Sequence, residues 1–199
     1  MTPEEFILNP DELIGRAGKL VEVQRRKIRS GRASIIRLLL HGPPGCGKSA
    51  ALRMIAAELT GEGYQVSHLS ACEITADMVR GWIDESHYKR DGWRVYWIEE
   101  CDAINPTAEV LMLQFLDKLP AHTAVLCTSN YADKLTDRFQ SRLQVVEIAR
   151  PSTQEIDKLL KRRFGDCYSS VIAHSCKGDL RAALNDAQAY LDYHCEVEA

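Results

Sequence analysis

An α/β fold, with a parallel five-stranded sheet flanked by helices and followed by a small all-α domain, is what this 199-residue sequence predicts. Three observations lead there. Short apolar runs of strand length recur through the first 150 residues, helical apolar spacing fills the gaps between them, and beyond Arg150 only helical spacing continues. Parallel strands need long crossovers, and helices are the usual ones, so this alternation points to a sheet covered on both faces.

Each element follows from its own residues. Between Asn9 and Gly31, Leu13, Ile14, Ala17, Leu20, Val21 and Ile28 share a helical face. Arg16, Lys19, Arg25, Arg26, Lys27 and Arg29 occupy the other, a charge run that reads as a solvated face. Ile35–Leu40 is the first buried strand, and similar runs follow at Tyr64–Leu69, Arg94–Ile98, Ala124–Ser129 and Leu143–Ile148. Helical patterns cover Ser49–Thr60, Thr75–His87 and Thr107–Leu119. The pattern changes at Ala149-Arg150-Pro151-Ser152, which places a boundary between domains 1–150 and 151–199. Helices are expected at Thr153–Phe164, Ser169–Cys176 and Leu180–Tyr193, the last with a Leu180, Leu184, Ala187, Leu191 stripe and Asp179 as its cap.

Composition narrows the class. Hydrophobic residues make up 45% and charged residues 27%, with a net charge of −3, which excludes a disordered chain and a globally basic nucleic-acid coat. No apolar run approaches the ~20 residues needed to span a bilayer, so no membrane partner is expected. Seven cysteines without a Cys-x-x-Cys pair fit reduced thiols and a cytoplasmic location. The histidines (His41, His68, His87, His122, His174, His194) are scattered and offer no zinc site, and Trp82, Trp93 and Trp97 read as packing residues.

The chemistry begins at Gly42-Pro43-Pro44-Gly45-Cys46-Gly47-Lys48-Ser49, which matches Gly-x-x-x-x-Gly-Lys-[Ser/Thr] between an apolar strand and a helix. Glycines let the backbone curl so that successive N–H groups point inward, and the helix behind adds its positive end. Lys48 is placed to reach the outer phosphates of a nucleoside triphosphate, and the Ser49 hydroxyl to join Mg²⁺. Cys46 inside the loop would make binding oxidation-sensitive wherever its thiol is accessible. The apolar Val95-Tyr96-Trp97-Ile98 runs into Glu99-Glu100-Cys101-Asp102. Two acids at one strand end divide the labour of a phosphohydrolase, Glu99 facing the metal and Glu100 the attacking water.

Together these residues resemble an ATPase of the AAA+ superfamily, nearest the clamp-loader subunits of DNA replication. The resemblance covers nearly the whole chain and implies a P-loop NTPase core with a helical lid. Asn9-Pro10-Asp11-Glu12-Leu13-Ile14-Gly15 looks like the box lining the adenine pocket, with Ile14 and Gly15 as base contacts. Residues 39–49 resemble Walker A, and Glu99-Glu100-Cys101-Asp102 takes the place of Walker B, with glutamate for the usual first aspartate. Pro106–Pro120 is similar to the clamp-loader helix that follows. Cys127-Thr128-Ser129-Asn130 resembles sensor 1, which implies that Asn130 shares the attacking water with Glu100. Asp137–Leu143 looks like the Ser-Arg-Cys box, with Leu143 for Cys. It implies that Arg142 is an arginine finger for a neighbouring subunit's site, with Arg138 as the backup. Gly178-Asp179-Leu180-Arg181 is similar to sensor 2, implying that Arg181 reaches the γ-phosphate from the lid.

The resemblance therefore implies ATP and Mg²⁺ as ligands, hydrolysis as the reaction, and assembly with copies or homologues into a full or partial ring. DNA or a sliding-clamp-like protein would be the object of work. Clamp-loader subunits also carry a third, helical collar domain, which would begin where this sequence ends. The Glu99 departure motivates an alternative, a nucleotide-binding assembly subunit with weak or no hydrolysis. A small-molecule kinase on the same loop would leave Asn130, Arg142 and Arg181 without a role.

Overall fold

A computed structural model describes residues 12–61, 66–88, 91–165 and 170–197. Asn9-Pro10-Asp11, Tyr64 and Ser169 lie outside the described residues. Helix α1 (Gly15–Arg29) precedes strand β1 (Ile35–His41), and helix α2 (Lys48–Thr60) leads to β2 (Val66–Ser70). Helix α3 (Ala76–Ser86), β3 (Arg94–Glu99), α4 (Pro106–Asp117) and β4 (Thr123–Ser129) follow. The short α5 (Asp137–Gln140) then leads into β5 (Gln144–Glu147). Helices α6 (Thr153–Phe164), α7 (Ser170–Ser175) and α8 (Leu180–Val197) complete the chain. Every strand and every helix of three or more turns was expected within a few residues of its position, except that α1 begins at Gly15, six residues after the Asn9 expected. Single turns at Ala71–Glu73, Cys101–Ala103 and Ala132–Lys134, and α5, are additions.

The five strands are parallel, in the order β2-β3-β4-β1-β5. Strand β1 pairs with β4 from Ile35 opposite Thr123 to His41 opposite Ser129, and with β5 from Leu38 opposite Gln144 to His41 opposite Glu147. The crossover after β1 skips two strands, so β1 lies at a point where the winding reverses, the place where open α/β sheets bind ligands beyond their carboxyl ends.

The two-residue period of the strands sorts the core into two layers. Leu38 and Leu40 of β1, Val95 and Trp97 of β3, and Ala124 and Leu126 of β4 pack against α1 and α2. Leu39, Tyr96, Ile98, Val125 and Cys127 turn to the other face, where Val79 and Trp82 of α3 meet Met112, Phe115 and Leu116 of α4. The third cluster is separate. Ile156, Leu159 and Leu160 of α6, Ile172 and Ala173 of α7, and Leu180, Ala183, Leu184 and Ala187 of α8 pack together, with Ile14 against them. The cations of α1 are partly neutralised: Arg25 and Arg29 both bond Glu58 of α2, and Arg26 bonds Glu22.

The start of the helical region is held by a reciprocal cap. The Ser152 amide donates to Glu155 Oε2 at 2.9 Å, and the Glu155 amide donates back to Ser152 Oγ at 3.3 Å. Ser152→Ala is expected to cost about 1 kcal/mol in urea unfolding. The Ser152 backbone N–H and hydroxyl hold the Glu155 carboxyl below its ordinary value of 4.5. A native value below the unfolded one makes the contribution complete above pH 4.5 and lost as pH falls through the native value. The gap between wild type and Ser152→Ala should therefore narrow in acid; a gap that widens would show that the cap does not act through this carboxylate.

Candidate functional site

The carboxyl ends of β1, β3 and β4 converge on a cleft of about 310 Å³, closed on its far side by α8. Its walls hold Pro44, Gly45, Gly47, Lys48 and Ser49 from the loop, Glu99 and Glu100 from β3, Asn130 after β4, and Leu180 and Arg181 from α8. A volume of this size lies in the range of small-molecule sites.

Two of the loop's three glycines are demanded by contact. Gly42, at φ 144°, passes so near Ile148 that a Cβ there would lie 2.2 Å from the Ile148 carbonyl oxygen. Gly45, at φ 73°, lies against Asp179, whose carboxylate would be 2.0 Å from an added Cβ. The Leu180 amide donates to the Gly45 carbonyl at 2.9 Å, so the helical region is bonded directly to the loop. Asp179 also accepts from the Ala182 amide at 3.1 Å, as expected of the cap of α8.

Lys48 is 7% exposed. Its ammonium donates to Gly42 O at 2.7 Å, Pro43 O at 2.8 Å and Asn130 Oδ1 at 2.9 Å. Burial pushes its pKa down, and the charge of nearby Arg181 pushes the same way. These three oxygens are uncharged, and so is the Cys46 sulfur at 3.9 Å. A phosphate oxygen, bringing full negative charge, would be a stronger partner than any of them. Cys46 is buried and donates to Pro43 O, and burial raises its thiol pKa. The thiol is therefore shielded and protonated, so the accessibility that oxidation sensitivity requires is not met.

The two acids part company at the end of β3. Glu99 continues the strand and lies, by alternation, on the α2 face with Trp97. Its carboxylate is 3.4 Å from Nε2 of His68 on β2, and the His68 ring stacks on Trp97 at 4.0 Å. Glu100 turns away through a left-handed backbone, φ 55° and ψ 49°. Such geometry costs a non-glycine residue of order 1–2 kcal/mol and gathers at functional sites. Its amide donates to Thr128 Oγ1 at 3.3 Å and its carbonyl accepts from Ala103, so the kink is tied at both ends. Asp102, next in the motif, accepts from Ser129 Oγ at 2.6 Å and locks the β3 end to the β4 end.

The remaining expected residues divide. Arg181 lines the cleft from α8, exposed at its mouth. Ile14 packs against the helical cluster, and Gly15 lies beside Glu155 and Pro151, at the seam between α1 and the helical domain but off the cleft wall. Leu13, one residue earlier, touches the loop near Gly47. Arg142 is elsewhere, since β5 begins opposite Leu38, four residues before Gly42. At about 3.3 Å per residue that sets Arg142 more than about 13 Å down the sheet from its own loop. Arg138 is exposed on α5.

Arg53, Thr128, Leu184 and Asn185 also line the cleft and were missed. Two of them follow helical spacing: Arg53 is one turn beyond Ser49, and Asn185 one turn beyond Arg181. Among the described residues no group of three or more His, Cys, Asp or Glu is arranged to hold a metal alone. Mg²⁺ asks for less, one or two side chains beside phosphate oxygens and water, and Ser49 and Glu99 on one cleft wall fit that demand. No described helix is long and apolar enough to cross a membrane.

Residues 38–150 match the ATPase family associated with various cellular activities (AAA). The replication factor C small subunit of Methanosarcina acetivorans is 24% identical over 188 residues, covering 87% of this chain and 56% of the relative. Replication factor C subunit 3 of Blastobotrys adeninivorans is 25% identical over 194 residues, covering 90% and 56%. This chain thus spans about half the length of these relatives. In fold it is similar to RuvB, the Holliday junction branch migration motor of Thermotoga maritima, with a TM-score of 0.77 over 95% of this chain and 66% of that one, at 20% identity.

Proposed function

The chain belongs to the AAA family of ATPases and resembles its clamp-loader members, and from that premise we propose that it hydrolyses ATP as one subunit of an oligomer acting on DNA or on a protein ring around DNA. The observation that carries this reading is the hydrogen bond from Lys48 to Asn130, which draws residues 82 positions apart into one cleft with Glu100 and Arg181.

The roles follow from position. Amides of the loop from Gly45 to Ser49, with Lys48, hold the β- and γ-phosphates. Ser49 and Glu99 would hold Mg²⁺, which when bound neutralises charge on the phosphate oxygens. Ile14 and Gly15 sit on the adenine side, beside the loop-proximal Leu13. The kinked Glu100 orients a water and accepts its proton as the water oxygen bonds to the γ-phosphorus. The bond to the bridging oxygen breaks, leaving ADP and phosphate. Asn130 holds the same water, and Arg181 reaches the γ-phosphate from the helical domain. Arg142, remote from its own cleft, serves the cleft of a neighbour.

Glu100→Gln tests the chemistry. It keeps the shape and removes the base, so turnover is expected to fall roughly 10²–10⁴-fold with ATP affinity nearly unchanged. Turnover equal to wild type would remove Glu100 from the mechanism. A second reading, a nucleotide-binding assembly subunit with weak hydrolysis, draws on Glu99, whose longer side chain is paired with His68. Phosphate release by the isolated chain, with and without DNA, separates the two, because vigorous release excludes the second.

A further inference from the structure

Arg142 is not a loose surface side chain. Its Nε donates to Asp117 Oδ1 at 2.8 Å, its Nη2 to Asp117 Oδ2 at 2.9 Å, and its Nη1 to the Arg138 carbonyl at 2.8 Å. We propose that Asp117, the last residue of α4, is a positioning residue that holds the Arg142 guanidinium in the orientation it uses on a neighbouring subunit's nucleotide. This rests on the reading of Arg142 as a finger acting in trans.

The argument is one of donor geometry. A guanidinium has five N–H groups in a plane. Asp117 takes the side edge, Nε with Nη2, and the Arg138 carbonyl takes one N–H of Nη1. That leaves one N–H on each Nη free to donate to phosphate oxygens while Asp117 stays bound. The mount is firm: α5 and the residues flanking it are pinned to α4 at three points. Thr136 bonds Glu109, Phe139 is fully buried in the α4 cluster, and Arg142 grips Asp117. Glu109 and Asp117 are eight residues apart, so two turns of α4 form the rail on which α5 sits.

Stability is not the main consequence of the pair. The side chains of Arg142 and Asp117 are 30% and 51% exposed, and ion pairs that open to water contribute little to folding. Orientation is another matter, because misplacing a catalytic group by about 1 Å can cost roughly a hundredfold in rate. The hydrogen bond and charge of Arg142, with a smaller contribution from Arg37 on β1, hold the Asp117 carboxyl below the usual carboxylate range. The clamp therefore stays ionised near neutral pH.

The test measures turnover of the full chain in the oligomer it forms with Mg²⁺ and ATP, for Asp117→Asn, Asp117→Glu, Arg142→Ala and Asp117→Asn/Arg142→Ala. Asp117→Asn is expected to lower turnover roughly ten- to a hundredfold with ATP affinity and melting temperature unchanged. Asp117→Glu should recover part of the loss, and Asp117→Asn should add nothing to Arg142→Ala. NMR of the Arg142 Nε–H should show an ordered side chain in wild type and a mobile one in Asp117→Asn. Full turnover in Asp117→Asn beside a crippled Arg142→Ala overturns the positioning role alone. So does a loss that persists in the Arg142→Ala background. Full turnover in Arg142→Ala overturns the finger reading instead.

Discussion

Lys48→Ala is expected to weaken ATP binding by roughly a hundredfold or more, because it removes a buried charge from a site built for anions. The argument does not rest on the motif alone. In the structure the Lys48 ammonium bonds Gly42, Pro43, Asn130 and the Cys46 sulfur, all neutral acceptors, in a cleft where burial already disfavours its charge. A triphosphate offers that charge its counterpart, so the gain on binding is large and its loss equally so. Lys48→Met separates charge from packing, since it retains most of the apolar stem. Isothermal titration with ATP should give the same loss for both variants. Should Lys48→Met bind ATP as wild type does, the loop would be a structural turn and the cleft would have no triphosphate function.

The parts of this molecule that were legible in the sequence are those governed by neighbours along the chain. Leu38-Leu39-Leu40 reads as a strand because burial on both faces erases polar alternation, and the structure sends Leu39 to one core layer and its neighbours to the other. The loop could be located because the geometry of Gly42 and Gly45 excludes side chains there. Its direct bond to Leu180 was not legible, since nothing in residues 42–49 says which distant segment will cover them. The same holds for Lys48 with Asn130, for Glu99 with His68, and for Arg142 with Asp117. Each is a meeting made by sheet order and helix placement, and no local period reports it. The accessibility of Cys46 was not legible either, since only packing beneath the loop decides it, and that packing buries its sulfur.

The bond between Gly45 and Leu180 also bears on how a phosphate signal would leave the site. Arg181 follows Leu180 on α8, and Leu180 and Leu184 anchor that helix in the cluster shared with α6 and α7. A pull on Arg181 toward a γ-phosphate therefore acts on a helix whose start is bonded to the loop holding that phosphate. Because α8 is joined to α6 and α7 through packed side chains, such a shift would be shared by all three helices rather than one side chain.

Arg142→Ala should leave ATP binding intact and lower oligomer turnover by about 10³–10⁵, the usual contribution of an arginine supplied to a transferring phosphoryl group. The separation of the two effects follows from the placement of Arg142 well down the sheet from its own loop, where its removal disturbs nothing that contacts the nucleotide in the same chain. A mixing experiment makes the claim sharper. Lys48→Ala chains bring an intact finger and a dead cleft, and Arg142→Ala chains bring the reverse. If head-to-tail contacts pair the finger of one chain with the cleft of the next, an equal mixture restores roughly a quarter of wild-type turnover, the share of junctions joining a sound cleft to a sound finger. Two inactive variants that stay inactive together would mean that Arg142 does not act across a subunit boundary. Recovery, in contrast, has no explanation within a single chain, because neither variant contains a complete site.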